Sequence, residues 1–68
     1  MTDTLKLEFA IRRAGFTKTE VAKRLGLTTQ GFLLKLNNVN EFKASEIATL
    51  YELLNLNGLE EQQQIFFN

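Results

Sequence analysis

Thr17-Lys18-Thr19-Glu20-Val21-Ala22-Lys23-Arg24-Leu25-Gly26-Leu27-Thr28-Thr29-Gln30-Gly31-Phe32-Leu33-Leu34-Lys35-Leu36 decides the fold, because it holds two helical patterns with a single glycine between them. Thr17 and Glu20 have capping-box spacing: the hydroxyl can accept from the Glu20 N–H while the carboxylate reaches back to the Thr17 N–H. Val21, Ala22 and Leu25 then recur on one helical face. Gly26 can take the left-handed conformation that stops a helix, and Thr28 can cap the next one. Helices are therefore expected from about Lys18 to Leu25 and from about Thr29 to Asn37.

Two short helices joined by three or four residues including a glycine have helix-turn-helix geometry, in which the second helix can enter a DNA major groove. The unit spans 17–37, and the rest of the chain supports it. Before it, Leu7, Ala10, Ile11 and Ala14 mark a helix over 4–14, which Gly15 ends and Phe16 follows as the apolar contact after the stop. After it, Asn37 to Glu41 is a polar loop, and Ile47, Leu50, Tyr51 and Leu54 mark a helix from about Ala44 to Asn55. Lys43 is a poor N-cap, so the first turn of that helix is expected to fray. Asn57 can cap a last helix of Leu59 to Phe67, with Glu60 reciprocating, and Gln62-Gln63-Gln64 reads as its solvated face. No proline, strand alternation or repeat interrupts the pattern. The expectation is an all-α, compact five-helix domain, one domain over 1–68.

Sixty-eight residues, 44% of them hydrophobic, allow one small core. The absence of cysteine and histidine excludes disulfides and thiolate or imidazole metal sites, and no cofactor is expected. No apolar run approaches the roughly 18 residues that span a bilayer, and the start lacks signal-peptide character, so a cytoplasmic protein without membrane contact is expected. Net charge is zero, yet its distribution is uneven. Residues 1–40 hold seven basic and three acidic side chains, a balance of +4, whereas 41–68 hold one and five, a balance of −4. A cationic front and acidic back would orient a neutral protein on DNA, although ordinary solvated faces would look the same.

At about 100° per residue, Phe32 and Leu36 define the inward side of the third helix, while Gln30 and Leu34 point away from it. In a major groove Gln30 can contact adenine, Thr29 a base edge or phosphate, and Leu33 or Leu34 a thymine methyl. Arg12, Arg13, Lys18, Thr28, Lys35, Asn37, Asn38 and Lys43, with Asn40, form a set around that helix suited to phosphate contacts, which position without specifying. Ile65, Phe66 and Phe67 are too apolar to leave in water together, so they close the core or supply a dimer patch; adjacent phenylalanines point about 100° apart, so one can do each.

The pattern Phe16-Thr17-x-x-Glu20-Val21-Ala22-x-x-Leu25-Gly26-Leu27-Thr28-x-x-x-Phe32 resembles the helix-turn-helix of the phage Cro and repressor type. The elements Lys35-Leu36-Asn37, Glu41-Phe42, Glu46-Ile47, Leu54-Asn55-Leu56 and Ile65-Phe66-Phe67 resemble short phage-type regulators of Gram-positive bacteria and their mobile elements. That resemblance implies operator binding by the third helix and commonly a homodimer on a near-palindromic site. It places base contacts on Thr29, Gln30, Leu33 and Leu34 and backbone contacts on Lys18, Thr28, Lys35 and Asn37. The pattern departs at Lys35, where relatives have an apolar residue, and in its two outward leucines. Those leucines motivate the alternative, an antirepressor that engages a partner regulator through Leu33 and Leu34. Nothing resembles a catalytic constellation, so neither an enzyme nor a small-molecule substrate is expected.

Overall fold

Five helices account for the regular structure of residues 1–67, the part of the chain that this computed structural model describes: α1 (Thr4–Arg13), α2 (Lys18–Arg24), α3 (Thr29–Leu36), α4 (Ala44–Leu53) and α5 (Leu59–Phe66). They coincide with the expected elements to within one or two residues at each end. Three begin under a side-chain cap: Asp3 accepts from the Lys6 N–H, Thr17 from Glu20 and Thr28 from Gly31. The Thr17–Glu20 capping box closes in both directions, at 3.1 and 2.9 Å.

Four of the helices end in one motif, a left-handed residue whose own N–H and that of the residue after it fold back onto the last turn. Gly15 (φ 84°) and Gly26 (φ 73°) take the left-handed position after α1 and α2. Phe16 N–H then donates to the Ile11 carbonyl at 3.1 Å, and Leu27 N–H to that of Ala22 at 2.9 Å. Asn38 (φ 64°) and Asn55 (φ 58°) serve the same purpose after α3 and α4, with Val39 N–H on Leu34 and Leu56 N–H on Tyr51, each at 2.8 Å. Asparagine tolerates this region because its short polar side chain can be satisfied locally. Phe16 and Leu56, drawn inward by these turns, pack on or within the core.

The core takes Leu7, Ala10 and Ile11 from α1, Val21 and Ala22 from α2, and Phe32 and Leu36 from α3. Leu50, Leu54, Leu56, Ile65 and Phe66 complete it. Each large side chain removed from water contributes roughly 1.5–3 kcal/mol, a sizeable part of the ~5–15 kcal/mol that holds a small domain together. Phe42, in the segment before α4, joins the helices through rings: its centroid lies 6.0 Å from Phe32 and 6.0 Å, edge on, from Phe66, which in turn meets Tyr51 at 5.6 Å. The radius of gyration, 10.6 Å, is that of a fully collapsed chain of this length. Among the described residues no helix is long and apolar enough to cross a membrane.

Several expectations change. Ala14 is exposed, since α1 ends one residue before it. Asn57 does not cap α5: Gly58 holds the N-cap position, and the Asn57 amide donates to Asn55 Oδ1 at 2.8 Å instead. Gln62 is half-buried because its amide donates to the Leu56 carbonyl at 2.6 Å, which ties α5 to the turn before it. The first turn of α4 is capped after all. Lys43 has no acceptor to offer it, but Glu46 Oε1 accepts from the Lys43 N–H at 2.8 Å, completing the half of a capping box that needs no hydroxyl.

Candidate nucleic-acid interface

Because the capping box sets the start of α2, the Gly26 stop its end and Thr28 the start of α3, the two helices are held as one unit by bonds that span four or five residues. Val21, Ala22, Phe32 and Leu36 face inward from it. A Cβ on Gly31 would stand 3.1 Å from Thr28 Oγ1, so glycine lets the cap of α3 close without displacement. What remains outside is a short face of uncharged polar groups: Thr28, Gln30 and Asn37 are exposed and Thr29 is half-buried.

The two leucines behave differently from each other. Leu33 packs against the core from its margin, so less of it is available to a groove than the wheel suggests. Leu34 is half-buried without belonging to that packed set, and its carbonyl receives the N–H groups of Val39 and Asn40 in the turn that ends α3.

Lys35 is placed otherwise than expected. Its ammonium donates to both oxygens of Glu46, at 2.7 and 2.8 Å, with only 13% of its side chain exposed and 9% of the glutamate's. A phosphate contact would require breaking a bidentate, mostly desolvated pair, so Lys35 serves as the bolt between α3 and α4. Burial pushes the Glu46 carboxyl upward, but the Lys35 ammonium and the Lys43 N–H outweigh it and hold the pKa below its ordinary value. Glu20 is lowered too, by the backbone and side-chain hydrogen bonds of Thr17.

Asn38 is also committed. Its Oδ1 accepts from the Thr2 N–H at 3.0 Å and its amide donates to the Thr2 carbonyl at 2.8 Å. With Thr4 Oγ1 donating to the Leu36 carbonyl at 2.7 Å, residues 2–4 form a strap across the end of α3. Lys18 pairs with Glu8 of α1, and Arg13 with Glu61 of α5 at 3.2 Å; both are surface pairs that a stronger anion could displace. Arg12, Lys23 and Lys43 form no ion pair among the described residues. Arg24 lies over the Phe16 ring at 5.7 Å.

Ile65 and Phe66 close the core, at 2% and 4% exposure, while Phe67 stands 66% exposed, so the apolar ending divides as its angular spacing allows. The residues that sequence reasoning missed are Thr2, Thr4 and Glu46. Glu46 had a signal, since Lys43-x-x-Glu46 has the spacing of the carboxylate half of a capping box. The strap had none, because its partners lie 32 and 36 residues away.

Compared with protein-family models, with curated proteins and with solved structures, the chain matches none.

Proposed function

We propose that this chain is a sequence-specific double-stranded DNA-binding regulator of the phage Cro and repressor type, with α3 as the helix that enters the major groove. The observation that carries this reading is the capped, hydrogen-bonded α2–α3 unit, whose outer side offers Thr28, Gln30 and Asn37 to solvent. Gln30 recognises an adenine edge, Thr29 a base or phosphate, and Leu34 a thymine methyl. Arg12 and Lys43 are the cations ready for phosphates, and Lys18 joins them by exchanging Glu8 for a phosphate.

Selection from a pool of random duplexes, followed by fluorescence anisotropy on the enriched sequence, tests the reading. Binding should weaken linearly in log K against log salt, by about 0.9 per phosphate engaged. Lys35→Met with Glu46→Leu, which removes the internal pair, should leave that slope unchanged. Gln30→Ala should relax the preference at one A·T position by about 1–3 kcal/mol. A pool that yields no enriched sequence and no salt-dependent binding overturns the proposal.

One observation favours a second reading, an antirepressor on the same scaffold: three of the basic side chains assigned to phosphate, Arg13, Lys18 and Lys35, are already paired with carboxylates. In that case Leu34→Asp abolishes a complex with a partner regulator and leaves DNA affinity unaffected.

A further inference from the structure

Asparagine is among the thermolabile residues, because the backbone nitrogen of the residue that follows can attack its Cγ and close a five-membered imide. That attack needs the nitrogen free of a hydrogen bond, no Cβ crowding its path, and room for the asparagine to turn. Residues 1–67 contain five asparagines, and their surroundings differ on each point. After Asn37 the Asn38 N–H is held by the Lys35 carbonyl at 3.2 Å. After Asn38 the Val39 N–H is held by Leu34, and after Asn55 the Leu56 N–H by Tyr51, each at 2.8 Å. Those three nitrogens are locked into helix-ending turns. After Asn40 the Glu41 N–H has no acceptor among the described residues, but the glutamate carries a Cβ and a side chain beside the path of attack.

Asn57 meets all three conditions. Its neighbour is Gly58, which has no Cβ, and the Gly58 N–H donates to no acceptor among the described residues. Both residues are exposed and both precede the first turn of α5. A Cβ built on Gly58 would meet nothing within 4 Å, so the space around the nitrogen is open. The Asn57 side chain is restrained by one bond, its amide on Asn55 Oδ1 at 2.8 Å, between two exposed groups.

We infer that Asn57–Gly58 is a site of spontaneous deamidation in the folded chain. Hydroxide takes the Gly58 amide proton, the nitrogen forms a bond to Asn57 Cγ, and the bond from Cγ to the side-chain nitrogen breaks, releasing ammonia. Water then opens the imide. Attack at Cγ leaves an aspartyl residue in the original main chain, whereas attack at the backbone carbonyl carbon leaves an isoaspartyl residue whose main chain runs through Cγ. The sum is one amide and one water converted to a carboxylate and ammonium, with no oxidant or reductant.

Either opening takes the neutral chain to a charge of −1 and ends the bond to Asn55, because a carboxylate has no N–H to give. The isoaspartyl form also inserts a methylene between Leu56 and Gly58. The Gln62 amide spans that place to reach the Leu56 carbonyl at 2.6 Å, so the tie between α5 and its preceding turn is disturbed. Helix α5 carries Ile65 and Phe66 into the core, and isoaspartyl opening therefore loosens the helix that closes it. Neither step involves α2 or α3, so the site is independent of what the chain binds.

The full chain, held folded for days at neutral and mildly alkaline pH and then mapped by proteolysis and mass spectrometry, tests the assignment. The peptide containing position 57 should gain about one dalton before any other asparagine peptide does, at a rate that rises with pH. Isoaspartyl and aspartyl products should both appear as chromatographically distinct forms. Gly58→Ala should slow the reaction at least tenfold while keeping the parent's circular dichroism and Tm, since the Cβ has open space and a φ of −83° suits any residue. Asn57→Asp, which makes one product directly, should melt close to the parent, and the isolated isoaspartyl form should melt lower. Deamidation that begins at another asparagine, that runs at least tenfold slower in the folded chain than in urea, or that Gly58→Ala leaves unchanged overturns the proposal. An isoaspartyl form that melts with the parent overturns the loosening of α5.

Discussion

The starts of α2 and α4 are built on the same plan and held by different means. In each, a glutamate three residues into the helix accepts from the N–H of the N-cap residue, Glu20 from Thr17 at 2.9 Å and Glu46 from Lys43 at 2.8 Å. At α2 the N-cap hydroxyl returns the bond, and the whole device is exposed and confined to four residues. At α4 the N-cap cannot return it, and the glutamate is instead buried and gripped by Lys35 from α3. One cap makes a helix; the other also fixes where that helix sits. A carboxylate at this position thus passes from local to tertiary duty according to what the rest of the chain brings near it.

The largest break in the comparison should come from Glu46→Ala, which strips α4 of its cap and leaves the Lys35 ammonium buried and unpaired. About 3 kcal/mol of stability should be lost, read from urea unfolding at neutral pH. The double change Lys35→Met with Glu46→Leu should recover most of it, because well-packed apolar residues replace a buried pair at little cost.

Thr17→Ala should cost about 1 kcal/mol, the usual value of a threonine cap, and no companion change elsewhere should rescue it. Acid sharpens the contrast further. Glu46 has its folded pKa below the ordinary value, so the stability it supplies is complete above the unfolded carboxylate pKa and is lost as pH falls through the lowered one. The gap between the parent and Glu46→Gln should therefore close as unfolding is measured at successively lower pH. Glu20 shifts in the same direction, but it is exposed, and Glu20→Gln should narrow the acid dependence far less. Smallest of all should be Lys18→Ala, whose surface pair with Glu8 is worth below about 0.5 kcal/mol in thermal melts.

Thr17, Glu20, Gly26 and Thr28 were legible because each acts on a backbone group within four residues, so spacing alone states the bond. The inward sides of α1 to α4 were legible because helical periodicity sorts apolar from polar positions wherever the core lies. Lys35 was not. Its place on the flank of α3 is compatible with solvent, phosphate or a carboxylate, and only the approach of α4 chooses among them. Asn38 was read as a phosphate contact and Asn55 as the last residue of its helix, since asparagine takes the left-handed position only when the chain must turn back there. Asn57 carried a capping signal that lost to Gly58, the residue at which the chain already had the extended geometry α5 needs.

By itself the amino-acid order determined five helices, two of their stops, and a second and third helix joined across Gly26, because hydrogen bonds between near neighbours need no third party. Tertiary structure decided the rest. It turned Lys35 inward onto Glu46, drew Phe66 into the core while leaving Phe67 outside, strapped Thr2 and Thr4 over the end of α3, and opened an apolar groove between α1 and α5. Those outcomes depend on groups up to 36 residues apart in the chain meeting in space, and for Lys35 and Phe66 on a surrounding from which water is largely excluded, where a charge must find its partner and a ring its neighbours.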